Sequence, residues 1–388
     1  MLVENYFANN EVIRERSGEM VLLDVRLDNL YAFRNFHINL TYPKKIVGSS
    51  IKDEHLANRP NFRYKKVNII MGANASGKTT FGRTIMKIFN FIDKKNYTFI
   101  TDIVGDREKE ASFTLDMASR DNIFYRIFCK ITPPSGEKYT AENIHIEIRQ
   151  ESIQIRDSYE SCVKRLEAAH YSPMDNYLEE LEKAGVLDWM FLYPDNASTL
   201  RFHKNEDKFG QILENLLKAL DPSIQSVTKS SDIDDAYVIR LQDKAIILQD
   251  GEKFNTEFLS SGTKAGVEVA QMVSSIKHQH YSFYYCDEKF SYIHSDLEKA
   301  ILSLMVEYLR PNDQLFFTTH NTDVLDMDLP KHAFNFLCKD VHNANCPISC
   351  VTASSILKRN TDSLKNAVEN DMFACSPAVD LVYAIADL

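Results

Sequence analysis

Alternating apolar and polar residues in the first part of the chain predict a β-rich region. Residues 22–43 alternate in two runs, which predicts two strands. A short apolar strand, 67–71, leads directly into a glycine-rich loop. Three later runs predict further strands, with a Pro-Pro-Ser-Gly turn in between; they span 111–118, 122–132 and 143–155.

Helical spacing of apolar residues takes over in the middle of the chain. Residues 79–91 have apolar positions three and four apart, so the glycine-rich loop should open a helix. A second helical pattern runs through 158–220 and stops at Asp221-Pro222. The last third alternates strand and helix. We therefore expect one α/β domain made of a β-rich lobe over 20–157, a helical insertion over 158–221 and a final lobe over 222–388.

The composition is that of a globular protein with a sizeable core. The 388 residues are 44% hydrophobic and 26% charged, and no run of 18 apolar residues occurs. The charged start of the chain lacks the apolar centre of a signal peptide, so we expect a cytoplasmic protein. The net charge of −10 argues against a protein that mainly neutralises nucleic-acid backbones. The basic stretch 59–66 is expected to be a solvated lead into a strand.

Seven cysteines are present, and none belongs to a C-x-x-C pair. One interpretation is a metal site formed by Cys346 and Cys350 with His332 and His342. Structural zinc sites usually have more closely spaced ligand pairs, which makes this interpretation the weaker one. We expect instead that the cysteines are reduced and unpaired.

The glycine-rich loop carries the strongest chemical signal. The segment 72–79 reads GANASGKT and fits G-x-x-x-x-G-K-[ST] in full between a predicted strand and a predicted helix. The glycines let the backbone wrap a phosphate, and the helix N-terminus adds positive potential. We expect ATP to be bound here, with Mg²⁺ on Thr79. The predicted nucleotide-binding residues are Gly72, Asn74, Ala75, Ser76, Gly77, Lys78, Thr79 and Thr80.

Two later apolar strands end in residues suited to phosphate chemistry. The strand 282–286 is followed by Asp287 and Glu288, and the strand 315–319 by His320. Ligands of α/β sheets bind outside the carboxyl ends of the strands, where such side chains would meet. We expect Asp287 to hold Mg²⁺ and Glu288 to orient the attacking water. With Lys78 and His320 beside the γ-phosphate, Lys78, Glu288 and His320 form the predicted catalytic set.

These motifs, in this order, resemble the ABC-type ATPase superfamily. The segment 258–266, FLSSGTKAG, lies about 180 residues after the phosphate loop and is similar to the signature loop of that superfamily. It departs from the common form with Ser261 for glycine and Thr263 for glutamine. The resemblance implies that Ser260, Ser261 and Gly262 contact the γ-phosphate of ATP held by a facing subunit, with Lys264 adding positive charge. It therefore implies a homodimer or higher homo-oligomer joined through the ATP sites.

The S-S-G-T-K form of the signature resembles the soluble branch of the superfamily, which includes RecF, the SMC proteins, the OLD ATPases and the ATPases of bacterial anti-phage systems. The segments 27–40 and 291–297 also look like their counterparts in that branch, except that Ser295 replaces a proline. The resemblance implies a glutamine loop and an adenine-stacking residue. Gln150 or Gln154 is the candidate for the first, and Tyr31 or Phe33 for the second.

The lengths of the segments between and after the motifs indicate which members of this branch the chain resembles. There is no long heptad run of the SMC type before the signature, and only 68 residues follow His320, fewer than a Toprim nuclease domain needs. The resemblance then favours the ATPase of an anti-phage system that controls a separate nuclease or toxin. The alternatives are a RecF-like DNA-repair clamp, for which DNA would be a partner, and the ATPase subunit of a transporter. No membrane contact is expected.

Overall fold

The computed structural model describes residues 18, 20–46, 48–174, 176–185, 187–194, 208–250, 252, 259–340, 342–359, 362–375, 380–383 and 385. The chain divides into two compact units. The P-loop unit consists of the described residues of 18–191, 282–288 and 309–385 and contains the glycine-rich loop. The signature unit consists of the described residues of 192–281 and 289–308 and contains the segment 259–263.

The strands of the described residues form four sheets. In chain order they are β1 (Met20–Asp28), β2 (Phe36–Asn39), β3 (His55–Leu56), β4 (Arg59–Arg63), β5 (Val67–Met71), β6 (Ala111–Ser119), β7 (Ile123–Ile131), β8 (Ile144–Ser152), β9 (Trp189–Leu192), β10 (Ser226–Lys229), β11 (Ala236–Arg240), β12 (Ala245–Gln249), β13 (Phe283–Asp287), β14 (Gln314–Thr318), β15 (Phe334–Lys339) and β16 (Ile348–Thr352).

The α-helices of the described residues vary from one turn to five. In chain order they are α1 (Lys78–Lys94), α2 (Thr98–Thr101), α3 (Tyr159–Ala168), α4 (Tyr177–Leu181), α5 (Phe209–Leu220), α6 (Ser261–His278), α7 (Ser295–Tyr308), α8 (Ala353–Ile356), α9 (Leu364–Glu369) and α10 (Asp380–Tyr383). Short 3-10 helices occur at Ala141–Asn143, Thr322–Asp326 and Lys331–Ala333. No helix in the described part of the chain is both long and apolar enough to span a membrane.

Two large sheets build the P-loop unit. One has five antiparallel strands in the order β2-β1-β6-β7-β8, and the other has six in the order β16-β15-β5-β14-β13-β9. A two-stranded sheet, β3-β4, completes the unit. Helices and both parallel and antiparallel strands occur, so the predicted α/β class is confirmed. The segment 158–221, predicted as one helical insertion, contains α3, α4, β9 and α5 and contributes to both units.

The centre of the six-stranded sheet is fully buried. Every residue of β5, β13 and β14 is buried, as expected for parallel strands covered on both faces. Both β5 and β13 pair in parallel with β14, so the three strands end at one edge. Helix α1 lies close to β13 because Gly82 has no side chain: a Cβ there would come within 2.5 Å of the Tyr285 ring. The glycine-rich loop therefore leaves the sheet at the same edge as Asp287.

The signature unit packs helices on a small sheet. Strands β10, β11 and β12 are antiparallel neighbours, and α5 packs against α6. The two helices approach closely at Gly266, where a Cβ would come within 2.3 Å of the Leu220 Cδ1 atom. Leu213 and Leu217, on the predicted apolar stripe of α5, are fully buried in the core of this unit.

Two sequence-based expectations are wrong. Lys65 and Lys66, expected to be solvated, are buried, with exposed fractions of 4% and 1%. The Lys66 ammonium donates to the carbonyl oxygens of Lys52 and Leu309, and long-range contacts of this kind cannot be deduced from a local basic pattern. The expectation of unpaired cysteines also fails, because Cys338 and Cys375 form a disulfide. The fold brings Cys375 to the end of β15, 37 residues from its partner in sequence.

Candidate functional site

The glycine-rich loop has a backbone that only small residues can follow. Gly72, Ala75 and Gly77 all have positive φ, at 149°, 62° and 104°. A Cβ on Gly72 would lie 2.4 Å from the Leu337 carbonyl oxygen, so any other residue would clash with β15. The loop leads directly into α1, whose first amides have no acceptor within the helix and can bind an anion.

The Lys78 side chain is folded back into the loop. Its ammonium group, 4% exposed, donates to the carbonyl oxygens of Gly72 at 2.8 Å and Ala73 at 3.2 Å. It also forms an ion pair with Glu288, at 3.1 Å from Oε1. An ammonium group has three donors, and these oxygens account for all three. Lys78 therefore joins the loop to the acidic end of β13 directly.

Two buried polar atoms at this edge lack a hydrogen bond of good geometry among the described residues. They are the Ser76 hydroxyl oxygen and Oδ2 of Asp287. Burial raises the pKa of the Asp287 carboxyl above its ordinary value, and hydrogen bonds from Thr318 and Thr79 offset this only partly. A buried donor or acceptor without a partner is costly in a stable fold. A ligand with phosphate oxygens and a cation would satisfy both atoms.

Thr318 connects the two acidic residues, and sequence reasoning missed it. Its hydroxyl donates to Oδ1 of Asp287 at 2.5 Å and accepts from the Glu288 amide at 2.9 Å. The sequence held only part of the signal, namely two apolar strands that each end in a polar residue. The parallel register of β13 and β14, which pairs Thr318 with Asp287, is seen only in the folded structure.

The backbone of Glu288 is in the left-handed region, with φ of 44°. For a residue other than glycine this conformation is unfavourable and needs support from its surroundings. Part of that support is the Glu288 amide, which also donates to the Thr318 carbonyl oxygen at 3.2 Å. The conformation turns the chain sharply at the end of β13 and directs the Glu288 carboxylate to Lys78.

His320 lies at the same edge of the sheet. It is exposed, two residues after the end of β14, which lies between β5 and β13. The preceding residue, Thr319, donates its amide to the Ile70 carbonyl oxygen at 3.2 Å and so fixes this turn beside the end of β5. The structure thus brings together, at the ends of three adjacent strands, the loop 72–79, the Asp287–Glu288 pair and His320.

The signature segment forms the start of α6 in the other unit. Ser260 is the N-cap residue: its hydroxyl accepts from the Thr263 amide at 3.1 Å and lies 2.7 Å from the Thr263 hydroxyl. Ser260 and Ser261 are exposed. A Cβ on Gly262 would lie 3.0 Å from the Tyr292 carbonyl oxygen, so the segment after Glu288 packs against the signature backbone. The predicted Phe258 position lies outside the described residues.

The open alternatives have different surroundings. Phe33 is fully buried, with its ring 4.7 Å from that of Phe36, whereas Tyr31 is half-buried and nearer the surface. Gln150 donates to the Lys183 carbonyl oxygen at 2.7 Å, and Gln154 is exposed in the turn after β8. Tyr31 is therefore more accessible than Phe33, whereas Gln150 and Gln154 are both exposed.

The metal interpretation of the cysteine region has no support from the described residues. Nowhere in them do three or more His, Cys, Asp or Glu side chains gather as metal ligands. His332 is buried and its Nε2 atom lies 2.6 Å from Oε1 of Glu54. Cys350 lies in β16 and Cys346 precedes that strand.

No protein-family model and no curated protein sequence matches the chain. Among solved structures it is similar to the SMC head domain from Thermotoga maritima, with 13% identity, a TM-score of 0.40 and coverage of 85% of this chain and 98% of that one. It is also similar to the SmcHead bound to the C-winged helix domain of ScpA, with 13% identity, a TM-score of 0.49 and coverage of 87% of this chain and 99% of that one. For the recombination mediator protein RecF-ATPrS the identity is 11% and the TM-score 0.43, with coverage of 87% of this chain and 99% of that one.

Proposed function

We propose that the protein binds and hydrolyses ATP with Mg²⁺ as an ABC-type ATPase whose whole chain forms one head. The observation that carries the proposal is the edge of the six-stranded sheet. There the complete phosphate-loop motif, the Asp287–Glu288 pair and His320 end three adjacent strands, and two buried polar atoms await partners. This donor set suits a triphosphate and a hard cation that prefers oxygen ligands.

The residues then have distinct roles. The amides of 72–80 and the Lys78 ammonium bind the phosphates, which replace the carbonyl oxygens that Lys78 contacts in the structure. Thr79 and Asp287 would hold the cation. When bound, Mg²⁺ would neutralise negative charge on the β- and γ-phosphates. Glu288 accepts a proton from the attacking water once Lys78 turns to the phosphates, and His320 contacts the γ-phosphate.

We propose further that ATP joins two copies of the chain. Ser260, Ser261 and Gly262 open the 18-residue helix α6 at the protein surface, and a helix N-terminus favours an anion. In the proposed dimer this N-terminus faces the γ-phosphate held by the phosphate loop of the other copy, and Lys264 adds charge. Binding of ATP would then favour the closed dimer, and hydrolysis would release it.

The first experiment is light scattering of the purified Glu288→Gln protein with and without Mg-ATP. Glu288→Gln should hydrolyse ATP about 100-fold to 10,000-fold more slowly, because a general base contributes that much, and should therefore hold ATP. We expect ATP to double its mass. Hydrolysis at the wild-type rate by Glu288→Gln would contradict the catalytic proposal, and an unchanged monomeric mass would contradict the ATP-gated dimer.

For the biological role we propose the regulatory ATPase of a bacterial anti-phage system that controls a separate nuclease or toxin. The support is the S-S-G-T-K signature and the short interval between motifs. Both are sequence resemblances, and neither is a geometric feature of the site. A RecF-like DNA clamp is the second candidate, favoured by the same motif order. The rate of ATP hydrolysis separates the two: a DNA clamp should respond to added double-stranded DNA, and a defence regulator should respond to its protein partner instead.

A further inference from the structure

The residue after Glu288 is a lysine that is almost completely buried. Lys289 has a side-chain exposed fraction of 1% and forms an ion pair with Glu268, which is 9% exposed. Its ammonium also donates to the Tyr193 carbonyl oxygen at 2.7 Å. Buried charges are costly unless they are paired, so these contacts fix the position of the side chain tightly.

Lys289, which forms the ion pair with Glu268, directly follows the proposed catalytic residue Glu288 in the chain. The peptide bond between Glu288 and Lys289 is where the chain passes from the P-loop unit to the signature unit. Glu288 has the unfavourable left-handed backbone, which persists only when the surrounding structure holds it. The Glu288 amide is held by its hydrogen bonds to the hydroxyl and carbonyl oxygens of Thr318. On the C-terminal side the next residue is held by Glu268 and Tyr193.

The partner of Lys289 lies on the helix that begins with the signature. Glu268 is two turns into α6, whose N-cap is Ser260. The same helix is packed tightly, since all but one of its residues from Ala265 to Ile276 are buried. The Glu268 side chain is therefore held in a fixed place beside Lys289.

We infer that Lys289 is a positioning residue that couples the Glu288 carboxylate to the signature helix through Glu268. The inference rests on the proposed function, because it assigns Lys289 an effect on the hydrolysis step for which Glu288 is the base. Lys289 does not touch the nucleotide. Its contribution is to keep Glu288 in the one backbone conformation that directs its carboxylate to the phosphate-loop side.

The main test is the double variant Lys289→Met/Glu268→Leu, which removes both charges and fills their volume with apolar groups, a change that folded proteins often tolerate. We expect kcat to fall about 100-fold, as for a displacement of about 1 Å at a catalytic group. The dissociation constant for ATP should stay within about threefold of the wild-type value, because the phosphate loop is unchanged. A loss caused by general unfolding would change both.

A second variant decides the matter if the double variant does not fold. Glu268→Gln keeps an oxygen that accepts from Lys289 but removes the charge, so kcat should fall about tenfold because a neutral acceptor binds an ammonium more weakly. The control is Arg126→Met/Asp116→Leu, which removes from the five-stranded sheet another ion pair, 2.7 Å long, between the buried Asp116 and Arg126, which is 17% exposed. It should leave kcat unchanged.

Wild-type kcat in a folded Lys289→Met/Glu268→Leu protein, or in Glu268→Gln, would overturn the inference. Its failure is distinct from failure of the proposed function. If Glu288→Gln abolishes hydrolysis and these variants do not slow it, only the positioning role is wrong. If Glu288→Gln hydrolyses ATP normally, the catalytic assignment itself is wrong.

Discussion

The phosphate loop and the signature segment both surround a helix N-terminus, but they differ in what they leave unsatisfied. Around the phosphate loop, the Ser76 hydroxyl and Oδ2 of Asp287 are buried without a hydrogen bond of good geometry among the described residues. At the signature, the Ser260 hydroxyl already caps its own helix through Thr263. The first region has the character of a preformed ligand site, and the second that of a stable surface.

The difference fits the two roles proposed for them. A site that binds nucleotide within one chain can be organised before the ligand arrives, at the cost of a few unsatisfied atoms. A segment that waits for the nucleotide of another copy must be stable while exposed, and an N-cap serine with its hydrogen bond achieves this. The predictions below test this difference, beginning with the largest expected effect.

Replacing Lys78 should remove ATP binding. Lys78→Ala deletes charge-assisted hydrogen bonds to the phosphates, each of which contributes about 1.5 to 3 kcal/mol, so two of them correspond to about 1,000-fold in affinity. Calorimetric titration with ATP measures it. Lys87→Ala, on the same helix and paired with Asp102 at 3.7 Å, is the matched control and should bind normally. Equal ATP affinities of Lys78→Ala and Lys87→Ala would contradict the proposal that the phosphate loop binds ATP.

Asp287→Asn should make the nucleotide-free protein more stable while it loses activity. Burial raises the pKa of Asp287, so its ionised form destabilises the fold at neutral pH, and the neutral amide removes that cost. We expect a melting temperature about 2 °C higher and hydrolysis about 100-fold slower at millimolar Mg²⁺. Asp296→Asn, at a carboxylate that is 76% exposed, serves as the control and should change neither. A lower melting temperature for Asp287→Asn would contradict the reading of this carboxylate as an unsatisfied ligand.

Ser260→Asp and Ser260→Asn should separate capping from anion binding. Both replacements cap a helix as well as serine does, so α6 should remain intact in both. The carboxylate repels a γ-phosphate and should slow hydrolysis about tenfold and prevent the ATP-dependent rise in mass, whereas the amide should preserve both within about threefold. Light scattering in the Glu288→Gln background gives the mass. Identical behaviour of the two variants would mean that no anion approaches this N-terminus.

A buried lysine away from the site should affect stability alone. Burial lowers the pKa of Lys65 from 10.5 to about 8, so between these values the folded protein has lost a proton that the unfolded chain still binds. The free energy of unfolding should therefore rise with pH across this window by about 3 kcal/mol more in the wild type than in Lys65→Met. Urea titrations at pH 7.5 and pH 10.5 measure the difference. Parallel pH profiles would contradict the lowered pKa of Lys65. The wild type and Lys65→Met should bind ATP with the same affinity.

Several features followed from local patterns. The segment 72–79 specifies its own loop, because glycine spacing and the following helix are encoded side by side, and β5, β13 and β14 were predicted from short apolar runs. The stripe on α5 predicted its buried face, including Leu213 and Leu217. The contacts of Lys65 and Lys66, the Cys338–Cys375 disulfide and the role of Thr318 could not be predicted in the same way. Each depends on residues far apart in the chain.

The sequence by itself singled out the residues to which we assign the chemistry: the loop 72–79, the acidic pair 287–288, His320 and the segment 259–263. It did so because each is a short motif whose residue types are dictated by phosphate and cation chemistry. Only the tertiary structure decided how Glu288 is held. Its left-handed backbone, the Thr318 contacts and the buried Lys289–Glu268 pair come from strands and helices that meet only after folding. A buried ion pair is defined by the burial of both partners, and burial is a property of the whole fold.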